Sequence, residues 1–336
     1  MIRQRVVGGS CAAPFPVYEH LAETLAGAHQ AGAADRDPTV AHVLGTCAGY
    51  AYADTGTVAT MMTRIGLARH ACVRISETVD AMLIFSTAYV LQSECGRIVI
   101  VCYRGTEPGT FGNWLGDADM GTDSSILSLA DAGTVRVHAG FHRNVRATWW
   151  PVLVQLTVAL RGRSLLNHRK RMRYPLQALY VTGHSLGGAM ATLFALSVCG
   201  SPDHRSIADR LRAVYTFGQP MAVAGPLPKA VDAVAPMVFR HVTAGDPIPA
   251  LPPKRWGPFQ HIGHEYRHED GQWRRADSPT RAFTGLRQLP RSLLAFLATE
   301  KDRASFQYTM AAHGPHHYLA ALRPPRRVTE FGDFEP

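Results

Sequence analysis

The sequence lacks a long hydrophobic run and a closely spaced pair of cysteines. No stretch approaches the roughly 18 apolar residues that a transmembrane helix needs. A secretory signal peptide is not apparent either, because two glycines, a serine and a proline interrupt residues 8–14. The six cysteines include no C-x-x-C pair, so we expect reduced and mostly buried side chains. These absences predict a cytoplasmic protein, with peripheral membrane association or secretion by another route left open.

Lysine is also scarce, because it supplies only four of the 35 basic residues. Against 26 acidic residues the net charge is +9, and arginine carries most of it. The densest cluster comprises Arg161, Arg163, Arg169, Lys170, Arg171 and Arg173. Such a cluster suits an anionic membrane surface or an acidic substrate, but it is also typical of a solvated surface loop. No recognition helix, zinc motif or aromatic stacking motif accompanies the charge, so nucleic acid is not an expected partner.

The pattern of apolar segments predicts one α/β domain over residues 1–336. Strands are predicted at 81–92, 97–103, 211–217 and 237–242, and helices alternate with the later strands, which favours a mainly parallel sheet. Residues of about 15–70 are predicted to form a helical N-terminal layer. The irregular, glycine-rich residues of about 107–133 are predicted to be a lid or loop region, and residues 324–336 a flexible tail.

The chemistry of the chain centres on the segment Gly183-His184-Ser185-Leu186-Gly187, which lies between an apolar strand and an apolar helix. Small residues two positions either side of Ser185 allow the sharp turn of a nucleophile elbow. The N–H groups and positive dipole of the following helix face any oxyanion that forms at the serine. A phosphate-binding or purely connecting turn is the alternative, but the strand and helix that flank it favour a nucleophile.

A serine nucleophile needs an acid and a histidine later in the chain. Asp246 follows a predicted strand, and the prolines after it would fix the loop that aims its carboxylate. Three histidines follow close behind it and three others precede a predicted terminal helix; the six are His261, His264, His268, His313, His316 and His317. Position favours the later three, and spacing alone does not choose among His313, His316 and His317.

Six ordered motifs together resemble the lipase class 3 family, the α/β hydrolases that include fungal triacylglycerol lipases. The first three are Tyr103-Arg104-Gly105-Thr106, Asn113-Trp114-Leu115-Gly116-Asp117 and Val137-His138-Ala139-Gly140-Phe141. The other three start with Gly183-His184-Ser185, Tyr215-Thr216-Phe217-Gly218 and Gly245-Asp246-Pro247. The resemblance covers most of residues 45–323. It implies an α/β-hydrolase fold, with a mainly parallel central sheet flanked by helices.

The resemblance also implies roles for single residues. Thr106 and Leu186 are expected to supply the N–H groups of the oxyanion hole. The segment after Thr106 would be a lid, which carries Phe111, Asn113, Trp114 and Leu115. The family places its base histidine five residues before a tyrosine, which selects His313 against Tyr318, with His316 and His317 as alternatives. The chain departs from the family at Ala312, where an aspartate is usual.

These observations give a main hypothesis and two alternatives. The main hypothesis is a serine carboxylester hydrolase that cleaves acyl esters of lipids through an acyl-enzyme on Ser185, without a metal or organic cofactor. One alternative is a non-catalytic lipid-binding module at anionic membranes, which would use the arginine cluster. The other is an acyltransferase or phospholipase A-type enzyme with the same triad.

Overall fold

The computed structural model describes residues 3–8, 17–30, 35–82, 84–106, 124–129, 133–284 and 311–331. In these residues a nine-stranded sheet has the order β1-β2-β3-β4-β7-β8-β10-β12-β13. Its strands are β1 (Arg3–Gly8), β2 (Ala71–Val79), β3 (Ile84–Gln92), β4 (Ile98–Tyr103), β7 (Ala178–His184), β8 (Leu211–Phe217), β10 (Val238–Thr243), β12 (His264–Glu269) and β13 (Gln272–Arg275). The pairs from β4 to β12 are parallel, and those at either end of the sheet are antiparallel.

A second, antiparallel sheet of four strands has the order β11-β9-β6-β5. Its strands are β5 (Ser124–Ser128), β6 (Thr134–His138), β9 (Val223–Ala224) and β11 (Phe259–Gln260). β6 leads directly into the longest helix of the described residues, Ala139–Leu160.

Helices cover both faces of the main sheet. They are α1 (Leu21–Gly27), α2 (Pro38–Tyr50), α3 (Thr55–Ile65), α4 (Ala139–Leu160), α5 (Leu186–Cys199), α6 (Arg205–Ala208), α7 (Ala230–Val234) and α8 (Pro315–Leu322). α4 and α5 pack on one face, while α1, α2, α3 and α8 share the core of the other. Alternate residues of β4 face the two cores. Val99 and Val101 face the core under α4 and α5, and Ile100 and Cys102 face the core under α1, α2, α3 and α8. A strand buried on both faces reads as a continuous apolar run.

The apolar segments at 84–92, 98–103, 211–217 and 238–243 are strands, close to their predicted bounds. The predicted layer at 15–70 contains three helices. The edge strand β1, its neighbour β2 and the hairpin of β5 and β6 had not been predicted. Pro151 does not break α4, which runs through it without interruption. Among the described residues, none of the helices combines the length and the apolar character needed to cross a membrane.

The described part of the predicted flexible tail packs against the helical layer. Glu330 is buried, and its Oε1 accepts a hydrogen bond of 2.6 Å from the hydroxyl of Tyr50. Arg323 lies 3.8 Å from the other carboxylate oxygen. The two partners tie Glu330 to α2 and to Arg323, and the flexibility expected for residues 324–336 stays a prediction. Local composition does not reveal a contact between residues 280 positions apart.

Candidate active site

Ser185 occupies the turn between β7 and α5 with φ +58° and ψ −130°. A residue other than glycine rarely adopts this backbone conformation, and such strain is typical of functional sites. The turn is held by the backbone N–H of Ser185, which donates to the carbonyl oxygen of Phe217 at 2.8 Å. The residue is almost buried, with 2% of its surface exposed.

The glycines of the elbow are required by close backbone approach. A Cβ on Gly183 would lie 2.3 Å from the backbone of Gly187, and one on Gly187 would lie 2.2 Å from the carbonyl oxygen of Tyr103. Because these neighbours are backbone atoms, they cannot move aside for a side chain. The spacing of the two glycines therefore allows β7, α5 and the end of β4 to converge at Ser185.

Asp246 follows β10, the second strand from β7 in the sheet. Its Oδ2 accepts hydrogen bonds from Nδ1 of His313 at 2.9 Å and from the hydroxyl of Tyr318 at 2.5 Å. Its Oδ1 accepts from the backbone N–H of Ile248 at 2.8 Å. The carboxylate side chain is fully buried, and burial followed by the charge of Asp246 raises the pKa of Tyr318 well above its ordinary value. Tyr318 therefore stays protonated and remains a donor.

The loop that carries His313 is attached to both β7 and β10. The hydroxyl of Thr243 donates to the carbonyl oxygen of Ala312 at 2.8 Å. Nε2 of His184 lies 2.7 Å from the carbonyl oxygen of His313, and its Nδ1 lies 2.8 Å from the hydroxyl of Tyr52. Since a carbonyl oxygen can only accept, Nε2 of His184 carries the proton and Tyr52 donates to Nδ1. Burial lowers the pKa of His184 well below its ordinary value, in keeping with this neutral form.

His184 thus acts as a buried hydrogen-bonding residue. It joins the residue before the serine to the backbone of His313.

The His313 ring lies beside the backbone that holds Ser185. Gly218 follows Phe217, whose carbonyl oxygen accepts from Ser185. A Cβ on Gly218 would lie 2.8 Å from Nδ1 of His313 and 2.8 Å from Oδ2 of Asp246. Asp246, His313 and the turn of Ser185 therefore meet around Gly218.

The other histidines that follow Asp246 lie elsewhere. His316 and His317 are exposed on α8, where their ring centroids are 4.2 Å apart. His261 is buried, with Nε2 2.7 Å from the carbonyl oxygen of Pro249. His264 contacts Arg275, and His268 packs against Trp273. Among the described residues, His313 is the histidine that the structure brings to the carboxylate of Asp246.

The two residues expected to form the oxyanion hole follow neighbouring strands. Tyr103 of β4 pairs with Gly183 of β7, and Thr106 and Leu186 each lie three positions further along. Leu186 is the first residue of α5, so its backbone N–H belongs to the unsatisfied first turn of a helix. Gly105 lies close enough to the elbow that an added Cβ would be 2.6 Å from the carbonyl oxygen of His184. The lid residues Phe111, Asn113, Trp114 and Leu115 lie outside the described residues.

Several residues at this site had not been recognised in the sequence. Tyr318 served only to locate the histidine, and its bond to Asp246 had not been foreseen. Tyr52 and Thr243 had not been noticed, and no local signal marks them. Gly218 follows a predicted strand, but only the position of the acid and the imidazole reveals why a side chain is excluded there.

Sequence comparison finds related proteins for part of the chain. Triacylglycerol lipase OBL1 of Ricinus communis is 30% identical over 159 residues, which cover 37% of this chain and 28% of that protein. Secreted mono- and diacylglycerol lipase 2 of Gibberella zeae is 33% identical over 140 residues, covering 39% of this chain and 30% of that protein. The chain spans less than a third of the length of these two relatives. The secreted relative contradicts the predicted cytoplasmic location, and that prediction is wrong.

Structural comparison finds lipase II from Rhizopus niveus, with a TM-score of 0.53 and 20% identity, over 73% of this chain and 86% of that chain. This likeness confirms the predicted α/β-hydrolase fold. Residues 100–256 match the model of the lipase (class 3) family. This segment contains the elbow, Asp246 and the central strands between them. Through residues 100–256, the chain is similar to the lipase (class 3) family, which confirms the predicted resemblance.

Proposed function

We propose that the protein is a serine carboxylester hydrolase that acts on acyl lipids. The observation that carries this proposal is the bonded pair of Asp246 and His313 beside the strained turn of Ser185. A nucleophile after β7, a carboxylate after β10 and an imidazole on the loop before α8 are the parts that acyl transfer to water requires.

In the first half of the reaction Oγ of Ser185 attacks the ester carbonyl carbon and its proton passes to Nε2 of His313. The carbonyl oxygen becomes an oxyanion, which the backbone N–H groups of Thr106 and Leu186 stabilise. Asp246 holds the imidazolium through Nδ1. The ester C–O bond then breaks, and His313 returns the proton to the leaving alcohol, which leaves an acyl group on Ser185.

In the second half a water molecule attacks the acyl carbon and gives its proton to His313. Collapse of this second intermediate breaks the bond to Ser185, the proton returns to Oγ and the carboxylic acid leaves. The buried, hydrogen-bonded carboxylate of Asp246 fixes the ring orientation in both halves. Acylglycerols are the proposed substrates, because the relatives are named as triacylglycerol and as mono- and diacylglycerol lipases.

The test compares Ser185→Ala with Ser197→Ala. Ser197 lies on α5 and its hydroxyl donates to the carbonyl oxygen of Leu193, so its loss removes a hydroxyl from the same helix without touching the site. We expect Ser185→Ala to reduce hydrolysis of nitrophenyl acyl esters and of emulsified acylglycerols by at least about 10⁴-fold and to abolish labelling by a fluorophosphonate. Ser197→Ala should retain both. Wild-type protein that neither hydrolyses these esters nor reacts with the probe would overturn the proposal.

We also propose peripheral contact with a membrane or a lipid droplet. An anionic surface is the proposed contact, because the protein carries a net charge of +9. A lid at 107–133 stays a prediction.

A further inference from the structure

The net charge of the chain comes from one segment. Residues 132–202 contain nine of the 35 lysines and arginines and none of the 26 acidic residues. The remainder of the chain therefore has 26 basic and 26 acidic residues and is neutral in sum. Six of the nine lie in residues 161–173, which we name the arginine loop. This loop connects α4 to β7.

The arginine loop is a hydrogen-bonded structure rather than an irregular chain. The backbone N–H of Ser164 donates to the carbonyl oxygen of Lys170 at 3.1 Å, and that of Met172 to Gly162 at 2.9 Å. Nη1 of Arg163 donates to the carbonyl oxygen of Arg169 at 2.8 Å. These backbone hydrogen bonds hold the positive side chains of the arginine loop close together. Their proximity raises the local positive potential.

These charges face solvent. Arg161, Arg169, Lys170, Arg171 and Arg173 are exposed. Within the described part of the chain, no ion pair joins any of them to a carboxylate, although exposed arginines elsewhere, such as Arg69 and Arg205, have such partners. An external anion would therefore relieve their mutual repulsion.

The loop also encloses a space of a size that fits an anionic group. An open cavity of about 440 Å³ is lined by Val158, Arg161, Arg163, His168 and Arg169. Guanidinium groups bind phosphate oxygens through two parallel hydrogen bonds, which makes arginine well suited to phosphate. The lining residues therefore indicate a phosphate-type ligand.

Apolar side chains beside the cavity favour a lipid as the source of that phosphate. Trp150 and Val154 are exposed by 69% and 50% on α4, and Leu166 in the loop by 40%. Trp150 and Val154 are four residues apart and so share one face of α4, and Arg161 is the residue that follows the helix. Tryptophan and aliphatic groups next to arginine are typical of surfaces that bind the headgroup region of membranes.

The arginine loop lies at the end of the sheet opposite the serine. The backbone N–H of Gln177 donates to the carbonyl oxygen of Arg97, the residue before β4. β7 then runs for seven residues before it reaches Ser185. At about 3.3 Å per residue, the loop and the nucleophile are roughly 20 Å apart along the strand.

We propose that the arginine loop and the exposed face of α4 form a docking site for anionic phospholipid surfaces, with the lipid phosphate in the arginine-lined cavity. This site is separate from the ester site. The protein would be held on a membrane by the end of the sheet that lies opposite Ser185. The proposal does not depend on the proposed hydrolysis, because binding needs no reactive serine.

The test measures binding to vesicles. The variant changes Arg161, Arg169, Lys170 and Arg171 to Gln, and the matched control changes Lys254, Arg255, Arg274 and Arg281 to Gln, which are exposed and lose the same charge. We expect full-length protein to bind vesicles that contain phosphatidylglycerol and not those of phosphatidylcholine alone. The loop variant should lose at least about 100-fold in affinity. The control should bind like the wild type, and Trp150→Ser should weaken binding.

Other outcomes would overturn the proposal. These are equal binding to neutral vesicles, equal loss in the control variant, binding of a DNA duplex without binding of anionic vesicles, or binding of inorganic phosphate alone. Hydrolysis of a soluble ester by the loop variant should equal that of the wild type. That measurement separates failure of docking from failure of the proposed ester chemistry.

Discussion

Tyr318 donates a hydrogen bond to Oδ2 of Asp246, the same oxygen that accepts from Nδ1 of His313. The carboxylate is therefore held from two sides, by the residue that it orients and by a tyrosine from the helix that follows. The Tyr318 hydroxyl also accepts from the backbone N–H of Thr243 at 3.3 Å. One phenol thus joins the strand that carries the acid to the helix behind the histidine.

Tyr318→Phe should lower kcat about tenfold and leave KM nearly unchanged, because the acid loses a donor that fixes its position. Tyr266→Phe is the matched control. Its hydroxyl also donates to an aspartate, Asp35, and accepts from a backbone N–H, that of Arg36, away from the site. Steady-state kinetics on a soluble ester measure the effect. An unchanged kcat with a lowered melting temperature would make the role of Tyr318 purely structural.

Gly218→Ala should reduce kcat by at least about tenfold. Its new Cβ would lie 2.8 Å from both the acid and the imidazole, at a φ of +60°. Gly225→Ala is the matched control, because Gly225 has a φ of +75° and no atom within 4 Å of the added Cβ. In both variants alanine at a positive φ destabilises the folded protein by about 1 kcal/mol. If the folded fractions of the two variants were equally active, the proposed clash of the new Cβ with Asp246 and His313 would be contradicted.

His313→Ala should reduce ester hydrolysis by several orders of magnitude, whereas His316→Ala and His317→Ala should remain active. The reason is that His313 is bonded to Asp246, while the other two are exposed on α8. Activity on a nitrophenyl ester and the rate of fluorophosphonate labelling provide two readouts. If His317→Ala were inactive and His313→Ala active, the base would be misassigned.

The protein should lose stability on mild acidification because several buried histidines are neutral. Burial lowers the pKa of His42 and His70 to about 4 and that of His138 to about 3. The unfolded chain, with histidine pKa values near 6.5, binds more protons below that pH. Stability is therefore complete above about pH 6.5 and falls as the pH drops towards 4, by on the order of 1 to 2 kcal/mol per group at pH 5.

Urea unfolding at pH 7.5 and pH 5 measures this loss. His70→Gln should reduce the difference between the two free energies of unfolding, since one proton-linked group is removed. His168→Gln, at an exposed position in the arginine loop, should leave the difference unchanged. A free energy of unfolding that is the same at both pH values would contradict the neutral buried histidines.

The sequence by itself determined the features that depend on neighbouring residues. The elbow was predictable because Gly183, Ser185 and Gly187 act within one turn, between an apolar strand and an apolar helix. The strands β4, β8 and β10 were predictable because a strand buried on both faces is a continuous apolar run. The strands β1 and β2 were missed, since half-polar segments such as Ala71–Val79 give a weaker signal.

Only the tertiary structure decided which distant residues meet. Spacing left three histidines open, and folding brings His313 to Asp246 across 67 positions. The same packing makes Tyr318 a partner of the acid and places His184 between Tyr52 and the backbone of His313. Local patterns set strands, turns and helices, but a buried polar group takes its partners from whatever elements pack against it. Those partners are set by the fold as a whole.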